Sequence, residues 1–196
     1  LDAPLARMEE TAEIVRRLFA GDRSGFAGEH FTLAPDTGFG YTPLRDRIPL
    51  SIGTWKPRMA ALAGRIADEV KIGGCANPEM VRLMRDWIGN DEVGIVVGAV
   101  TVVDADGDRA RAHAQQEVAM YLDVVGENDP TFDGPPSLDR FAFAGTPEEV
   151  AAHARRLYDA GAKRVEFGTP QGLSTEGGVE LLCDRVLPLL RSTVTA

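Results

Sequence analysis

The chain has 196 residues, 44% hydrophobic and 26% charged, a composition typical of soluble globular proteins at a length that favours one domain over two. Its 30 acidic and 21 basic residues leave a formal charge of −9, which argues against nucleic acid or an anionic membrane surface as partner, since both would repel it. Cys75 and Cys183 are too few and too far apart for a disulfide framework or a zinc site, so both read as free thiols in a reducing cytoplasm.

No apolar run approaches the ~18 residues of a membrane span, and the opening LDAPLARMEE does not read as a signal peptide. Leu5, Met8, Ala12, Val15, Leu18 and Phe19 share one helical face, which predicts an amphipathic helix ending at Gly21. Residues 21–47 are dense in Gly, Pro, Asp and Thr and lack a period, so they read as a long inserted loop. Such a loop either serves a site or packs as a surface connection on Phe26 and Phe31.

Residues 48–75 read IPLSIGTWKPRMAALAGRIADEVKIGGC. Leu50 and Ile52 alternate with Ser51 as a short strand ended by Gly53. Thr54 is the candidate cap of a helix that carries Met59, Leu62, Ala63 and Ile66 on one face. Val70 and Ile72 form the next strand, ended by Gly73 and Gly74. Two parallel strands joined by a helix are a βαβ unit.

Asn77, Pro78 and Glu79 then start a helix with a cap, a first-position proline and a first-turn acid; Met80, Leu83, Met84 and Trp87 are its predicted buried stripe. Residues 94–103, GIVVGAVTVV, read as a strand covered on both faces. Asp108 is the candidate cap of the following helix, with Ala114, Val118 and Tyr121 inward. Residues 123–145 contain GENDPTFDGPPS and read as a second inserted loop. Thr146 and Glu149 form a capping box around Pro147. Val150, Ala154, Leu157 and Tyr158 face inward on that helix, residues 164–168 form a strand, and Val179, Leu182, Val186 and Leu189 line a last helix. Strand, glycine, loop and capped helix recur four times, so the predicted fold class is α/β.

Lys71 and Glu166 each stand two residues before a strand-ending glycine, flanked by apolar residues that point the other way. In a barrel, alternate strands fill the interior in layers. The two residues come from strands of the same parity and are predicted to form an interior ion pair, because a buried charge without a partner is costly.

Barrel active sites lie at strand C-termini. Glycines there admit a ligand close to the main chain, and helix N-termini bind phosphate, although any barrel also needs tight turns. Trp55 either stacks on a ligand or packs on a neighbouring helix; Lys56 either meets an anion or is solvated; Thr169 and Gln171 are weaker candidates. His30, His113 and His153 are far apart, the last two at predicted solvent-facing positions, so neither a zinc site nor a nucleophile triad has its parts. No metal is expected, and no Walker A or G-x-G-x-x-G sequence follows a strand.

Residues 48–75, together with RRLFAGDRSGFAGEHF at 16–31, TVVDADGDRARAHA at 101–114 and FGTPQGLSTEGGVELLCDRVLP at 167–188, resemble the luciferase-like barrel oxidoreductases, which use FMN or coenzyme F-420. Within them the likeness is to F-420-dependent methylenetetrahydromethanopterin reductases, and it covers nearly the whole chain. The resemblance implies a (β/α)8 TIM barrel of which residues 1–196 supply, as a single domain, roughly the last four strand–helix units. It further implies an oxidoreductase that moves a hydride between coenzyme F-420 and a small organic substrate. An FMN-dependent monooxygenase is the same-fold alternative; a non-catalytic half-barrel that needs a partner half is the alternative of another class. The implied cofactor contacts are Gly53, Thr54, Trp55, Gly73, Gly74 and Cys75. Catalytic residues are expected in an absent N-terminal half, and a homodimer or that missing half is the expected partner.

Overall fold

The computed structural model describes residues 2–45, 47–131 and 134–191; Asp46 and residues 132–133 of the two predicted loops, and residues 192–196 of the predicted domain, lie outside the described residues. Helix α1 (Pro4–Phe19) begins on a proline and buries Ala12 fully. The first predicted loop contains a small antiparallel hairpin, β1 (Phe26–Ala27) with β2 (Thr32–Leu33). Glu10 of α1 ties it down: its carboxylate accepts from the amides of Glu29 at 2.8 Å, Phe31 at 2.9 Å and His30 at 3.0 Å.

The predicted βαβ unit is formed by β3 (Ser51–Gly53), α2 (Pro57–Ile66) and β4 (Glu69–Gly73). The helix starts later than Thr54. Pro57, whose ring presets the helical φ, takes the first position, Lys56 is the extended cap residue, and no side chain caps the turn. Thr54 Oγ1 instead accepts from the Lys56 amide at 3.0 Å. Helix α3 (Pro78–Ile88) begins as predicted, with the Asn77 side chain accepting from the Glu79 amide at 3.0 Å. Its buried stripe is Met80, Val81, Met84 and Ile88, rotated from the predicted one so that Leu83 and Trp87 are only half-buried; each buried side chain is worth about 1.5–3 kcal/mol.

Strand β5 (Gly94–Val103) is the longest and leads to α4 (Gly107–Val118). The cap is Asp106, not Asp108: a capping side chain must stand outside the helix to reach back to its first amides, and Asp106 accepts from Asp108 and Arg109 at 3.1 and 3.2 Å. The second predicted loop is partly ordered structure, comprising α5 (Leu122–Gly126), α6 (Leu138–Phe141) and a sheet strand, β6 (Ala142–Gly145). At four residues, Ala-Phe-Ala-Gly, β6 is too short for its pattern to mark a strand, and main-chain pairing with the overhanging end of β5 creates it. The capping box then opens α7 (Pro147–Asp159), followed by β7 (Arg164–Gly172), α8 (Thr175–Leu181), a widened π turn over Leu182–Val186 and α9 (Leu187–Arg191). Tyr158 and Val179 are 42% and 43% exposed rather than inward.

Among the described residues the main sheet has five strands, all parallel. β5 pairs with β4 through residues 94–98, with β6 through 100–103, and with β7 from 96 to 103. Side chains alternate across the sheet: Val70, Ile72, Ile95, Val97, Val165 and Phe167 join the core under α2, α3 and α7, while Glu69, Lys71, Arg164 and Glu166 occupy the other, inner face. A second cluster, built on Val102, Ala110, Ala114, Val118, Phe141 and Ala142, sits past the strand ends, and Trp55 packs against both clusters.

Candidate functional site

Parallel strands bring their C-termini to one edge, and the register shows how. Gly53 pairs with Lys71; Gly73, two residues on, pairs with Gly98; Val100, two further, pairs with Gly168. Gly53 and Gly73 end β3 and β4, but Gly168, the predicted end of the last strand, lies inside β7, which pairing with the long β5 carries on to Gly172; the three glycines trace a diagonal across the strands with the stagger that a barrel's shear requires.

The glycines differ in what demands them. A side chain at Gly168 would stand 2.6 Å from the Ala99 carbonyl oxygen, and one at Gly98 would stand 3.1 Å from Glu166 Cβ, so both follow from close packing. Gly74 has φ +72°, a left-handed conformation. Gly53 and Gly73 have neither reason: their φ values are ordinary, a Cβ at Gly73 would meet nothing within 4 Å, and one at Gly53 only the Lys71 oxygen at 4.0 Å. Two strand positions thus forgo the ~0.5–1 kcal/mol that alanine would add, and both leave bare main chain facing open space.

Two hollows follow the rim. The first, of about 560 Å³, lies between the start of α1 and the β3–α2 turn and is lined by Gly53, Thr54, Lys56, Arg58 and Met59. The second, of about 480 Å³, lies on the inner face between Lys71, Gly73, Gly74, Glu166 and Thr169 on one side and Tyr121 and Val125 on the other. The predicted Lys71–Glu166 ion pair forms its floor, with side chains 44% and 35% exposed. The hydrogen bond from Lys71, opposed by burial and helped by the Lys71 and Arg164 charges, holds the Glu166 carboxyl below its ordinary range. Arg164 continues the pairing to Glu69 at 3.0 Å.

The six predicted contacts are thus divided. Gly53 and Thr54 line the first hollow, Gly73 and Gly74 the second. Trp55 stands between them, its indole N–H donating to the Gly73 oxygen at 2.9 Å and its ring 6.5 Å from that of Phe141. Cys75 is fully buried, and burial pushes its thiol up to about 12, so it is neither a nucleophile nor a side-chain contact. Main-chain amides at this edge are largely engaged within the sheet: Thr54 donates to Lys71 at 3.0 Å, Gly74 and Cys75 to Gly98 at 2.7 and 3.2 Å, and Ala76 to Arg140 at 2.8 Å. The uncapped first turn of α2, with Arg58 and Met59 in the first hollow, is the stretch that presents helix-start amides. Lys56 lines that same hollow, Thr169 is exposed at the second, and Gln171 sits at φ +71° beyond a bulge in β7.

Sequence reasoning missed the wall and what holds it. The Asn77 side-chain amide donates to Asp129 at 2.8 Å and to Thr131 at 2.9 Å, and Arg140 donates to Asp129 at 3.0 and 3.1 Å. Burial would push the Asp129 carboxyl up, but hydrogen bonds from Thr131 and Asn77 and the Arg140 charge outweigh it and hold it below its ordinary value. This latch fastens the segment after Tyr121 and Val125 to residues just past Gly74. In sequence, Asp129 and Arg140 are two charges in a proline-rich loop, with no sign that they meet. His153, expected at the surface, is buried. Its Nε2–H donates to the Ala76 oxygen at 2.7 Å, its ring meets Phe143 edge-on, and burial lowers its pKa. The helix face it occupies is covered by the segment at the end of β4. Among the described residues, no group of three or more His, Cys, Asp or Glu could hold a metal ion, and no helix is long and apolar enough to cross a membrane.

A parallel sheet with helices on its outer face and ligand-sized hollows at its strand C-termini is part of a (β/α)8-barrel enzyme fold. The sequence profile of the luciferase-like monooxygenases matches residues 1–164, and the chain belongs to that family. It is 26% identical to a 5,10-methylenetetrahydromethanopterin reductase of Archaeoglobus fulgidus, covering 97% of this chain and 68% of that protein. It is also 26% identical to an F-420-dependent glucose-6-phosphate dehydrogenase of Nakamurella multipartita, covering 96% and 61%. The solved coenzyme F-420-dependent tetrahydromethanopterin reductase of Methanopyrus kandleri shares the fold with a TM-score of 0.76 at 20% identity, covering 94% of this chain and 63% of that one. The chain thus spans roughly three-fifths to two-thirds of the length of these relatives.

Proposed function

We propose that this chain is the cofactor-holding, C-terminal part of an oxidoreductase that transfers a hydride between coenzyme F-420 and a small organic substrate, in the manner of the methylenetetrahydromethanopterin reductases it is similar to. The observation that carries the reading is the pair of glycines at Gly53 and Gly73, which neither packing nor backbone conformation demands. Bare main chain at adjoining strand ends suits a flat ring lying close to the sheet edge, and the two hollows on either side of Trp55 suit a cofactor whose ring and anionic tail need separate places. Lys56, Arg58 and the open first turn of α2 supply the positive field for the tail. The deazaflavin, when bound, accepts or donates the hydride; the residues of this chain orient it and exclude water. Gly73 and Gly74 leave room for it, Trp55 braces the turn between the hollows, and the Lys71–Glu166 pair keeps the floor polar and charge-neutral.

The test is a titration with coenzyme F-420 followed by visible absorbance, in the original chain and in Gly73→Ala. The alanine variant should unfold within about 1 kcal/mol of the original, since its Cβ meets nothing, yet lose saturable binding. Equal binding by both would remove the reading, and a tight yellow complex with FMN would replace it by that of a flavin monooxygenase. The half-exposed ion pair on the inner face favours a second reading, in which this chain works only with further polypeptide covering that face. Reductase activity of the isolated chain would dismiss it.

A further inference from the structure

We propose that Tyr121 is a ligand-contacting residue that sets the selectivity of the second hollow, and that the ligand it selects is a small organic molecule with an apolar body and one hydrogen-bond acceptor of the carbonyl type. The inference rests on the reading above in one respect: it takes the inner-face hollow, where that reading places the cofactor ring, to admit the substrate beside the ring.

The lining divides by chemistry. Lys71 and Glu166 pair on the floor, and Arg164 adds a further bond to Glu166 at 3.1 Å, so an incoming ligand meets opposite charges already paired there. Ala99, Val100 and Val125 are apolar. Among the described residues the hydroxyl of half-buried Tyr121 has no hydrogen-bond partner and is not sealed from water, so its donor is open to a ligand that enters the hollow. Burial, with Glu117 adding to it, pushes that hydroxyl above its ordinary value, so it stays an O–H donor throughout the neutral range. A donor beside an apolar wall is complementary to an acceptor at the end of an apolar body.

The wall is also held in place before any ligand arrives. Tyr121 closes α4 by donating its amide to the Val118 oxygen at 3.0 Å, and its own oxygen accepts from the Val125 amide at 3.0 Å. Val125 reaches to within 3.3 Å of where a Gly74 side chain would begin. Beyond it, the Asn77–Asp129–Arg140 latch anchors the segment to the end of β4. A main chain fixed on both sides of Tyr121 limits how far the wall can shift on binding, which favours selectivity over adaptability.

Fluorine NMR titration with two probes of the same outline tests this: para-fluoroacetophenone, which carries a carbonyl, and para-fluoroethylbenzene, which has a methylene in its place. The original chain should prefer the ketone. Tyr121→Phe, which removes only an unpartnered oxygen, should weaken ketone binding about two- to tenfold, the value of one hydrogen bond, and leave the hydrocarbon within about twofold, so that the preference disappears. Val125→Phe, which fills the hollow, should weaken both probes together. Equal affinity of the original chain for the two probes, a preference that survives Tyr121→Phe, or binding untouched by Val125→Phe would each overturn the assignment. A failed F-420 titration alongside a Tyr121-dependent ketone preference would remove the oxidoreductase reading and leave this one standing; saturable F-420 binding without the preference would do the reverse.

Discussion

Two ion pairs flank the ends of β4 and β7, and they behave as opposites. Asp129 and Arg140 have side chains 2% and 13% exposed and share their remaining hydrogen-bonding capacity with Asn77 and Thr131. Lys71 and Glu166 are 44% and 35% exposed on the open inner face. The chemistry is the same, a cation against a carboxylate, but the surroundings differ. In the buried pair each partner's desolvation is offset by the other and by neutral donors, so removing either one strands a charge. In the open pair water screens the attraction and can replace it. The buried pair therefore holds structure, and the open pair keeps the floor of the inner-face hollow polar at little energetic consequence.

The largest effect expected from this contrast is on Arg140→Ala, which should lose about 3 kcal/mol of unfolding free energy in urea because Asp129 remains buried without its cation; a loss below about 1 kcal/mol would erase the distinction between the pairs. An intermediate effect lies in the pH dependence of the same buried side. His153 has a folded pKa lowered by burial, so the unfolded chain takes up a proton first as pH falls. Its contribution is fully present above the ordinary value of 6.5 and is lost progressively as pH falls towards the depressed folded value. Stability measured between pH 8 and about 5.5 should thus decline on acidification, and His153→Gln, which keeps a donor but cannot titrate, should flatten that slope. An unchanged slope would mean that His153 is solvated in the folded state. The smallest effect belongs to Lys71→Met, which should cost less than about 1 kcal/mol. Added salt should shrink that cost further while leaving the Arg140→Ala loss unchanged. A salt-insensitive loss of several kcal/mol at Lys71 would show the inner face to be covered in solution.

Much of this was legible in the residues. The βαβ unit at 48–75, the caps at Asn77 and Thr146 and the apolar central strand rest on local chemistry: period-2 alternation, a side-chain oxygen placed before a proline, a run with no polar side. The Lys71–Glu166 pair was also predictable, because strand periodicity fixes which face each side chain takes. Errors arose where local signals compete or vanish. Thr54 and Asp108 both suit a cap, but Pro57 and Asp106 stand where the backbone actually turns into the helix. Residues 142–145 became a strand only because β5 outruns β4 and offers them an edge. His153 looked solvated because nothing in its own helix reveals that the end of β4 will cover it.

Sequence alone determined that Gly53 and Gly73 would end their strands and that those strands would run parallel, since each depends on residues close together in the chain; Gly168, read the same way, lies inside a strand that pairing with β5 prolongs to Gly172. Tertiary structure decided which glycines are dictated by their neighbours and which stand before empty space, and it brought Tyr121 opposite Lys71 and Asp129 against Arg140. Those outcomes depend on strand stagger and on a segment folding back across the sheet edge, distances that no local pattern encodes.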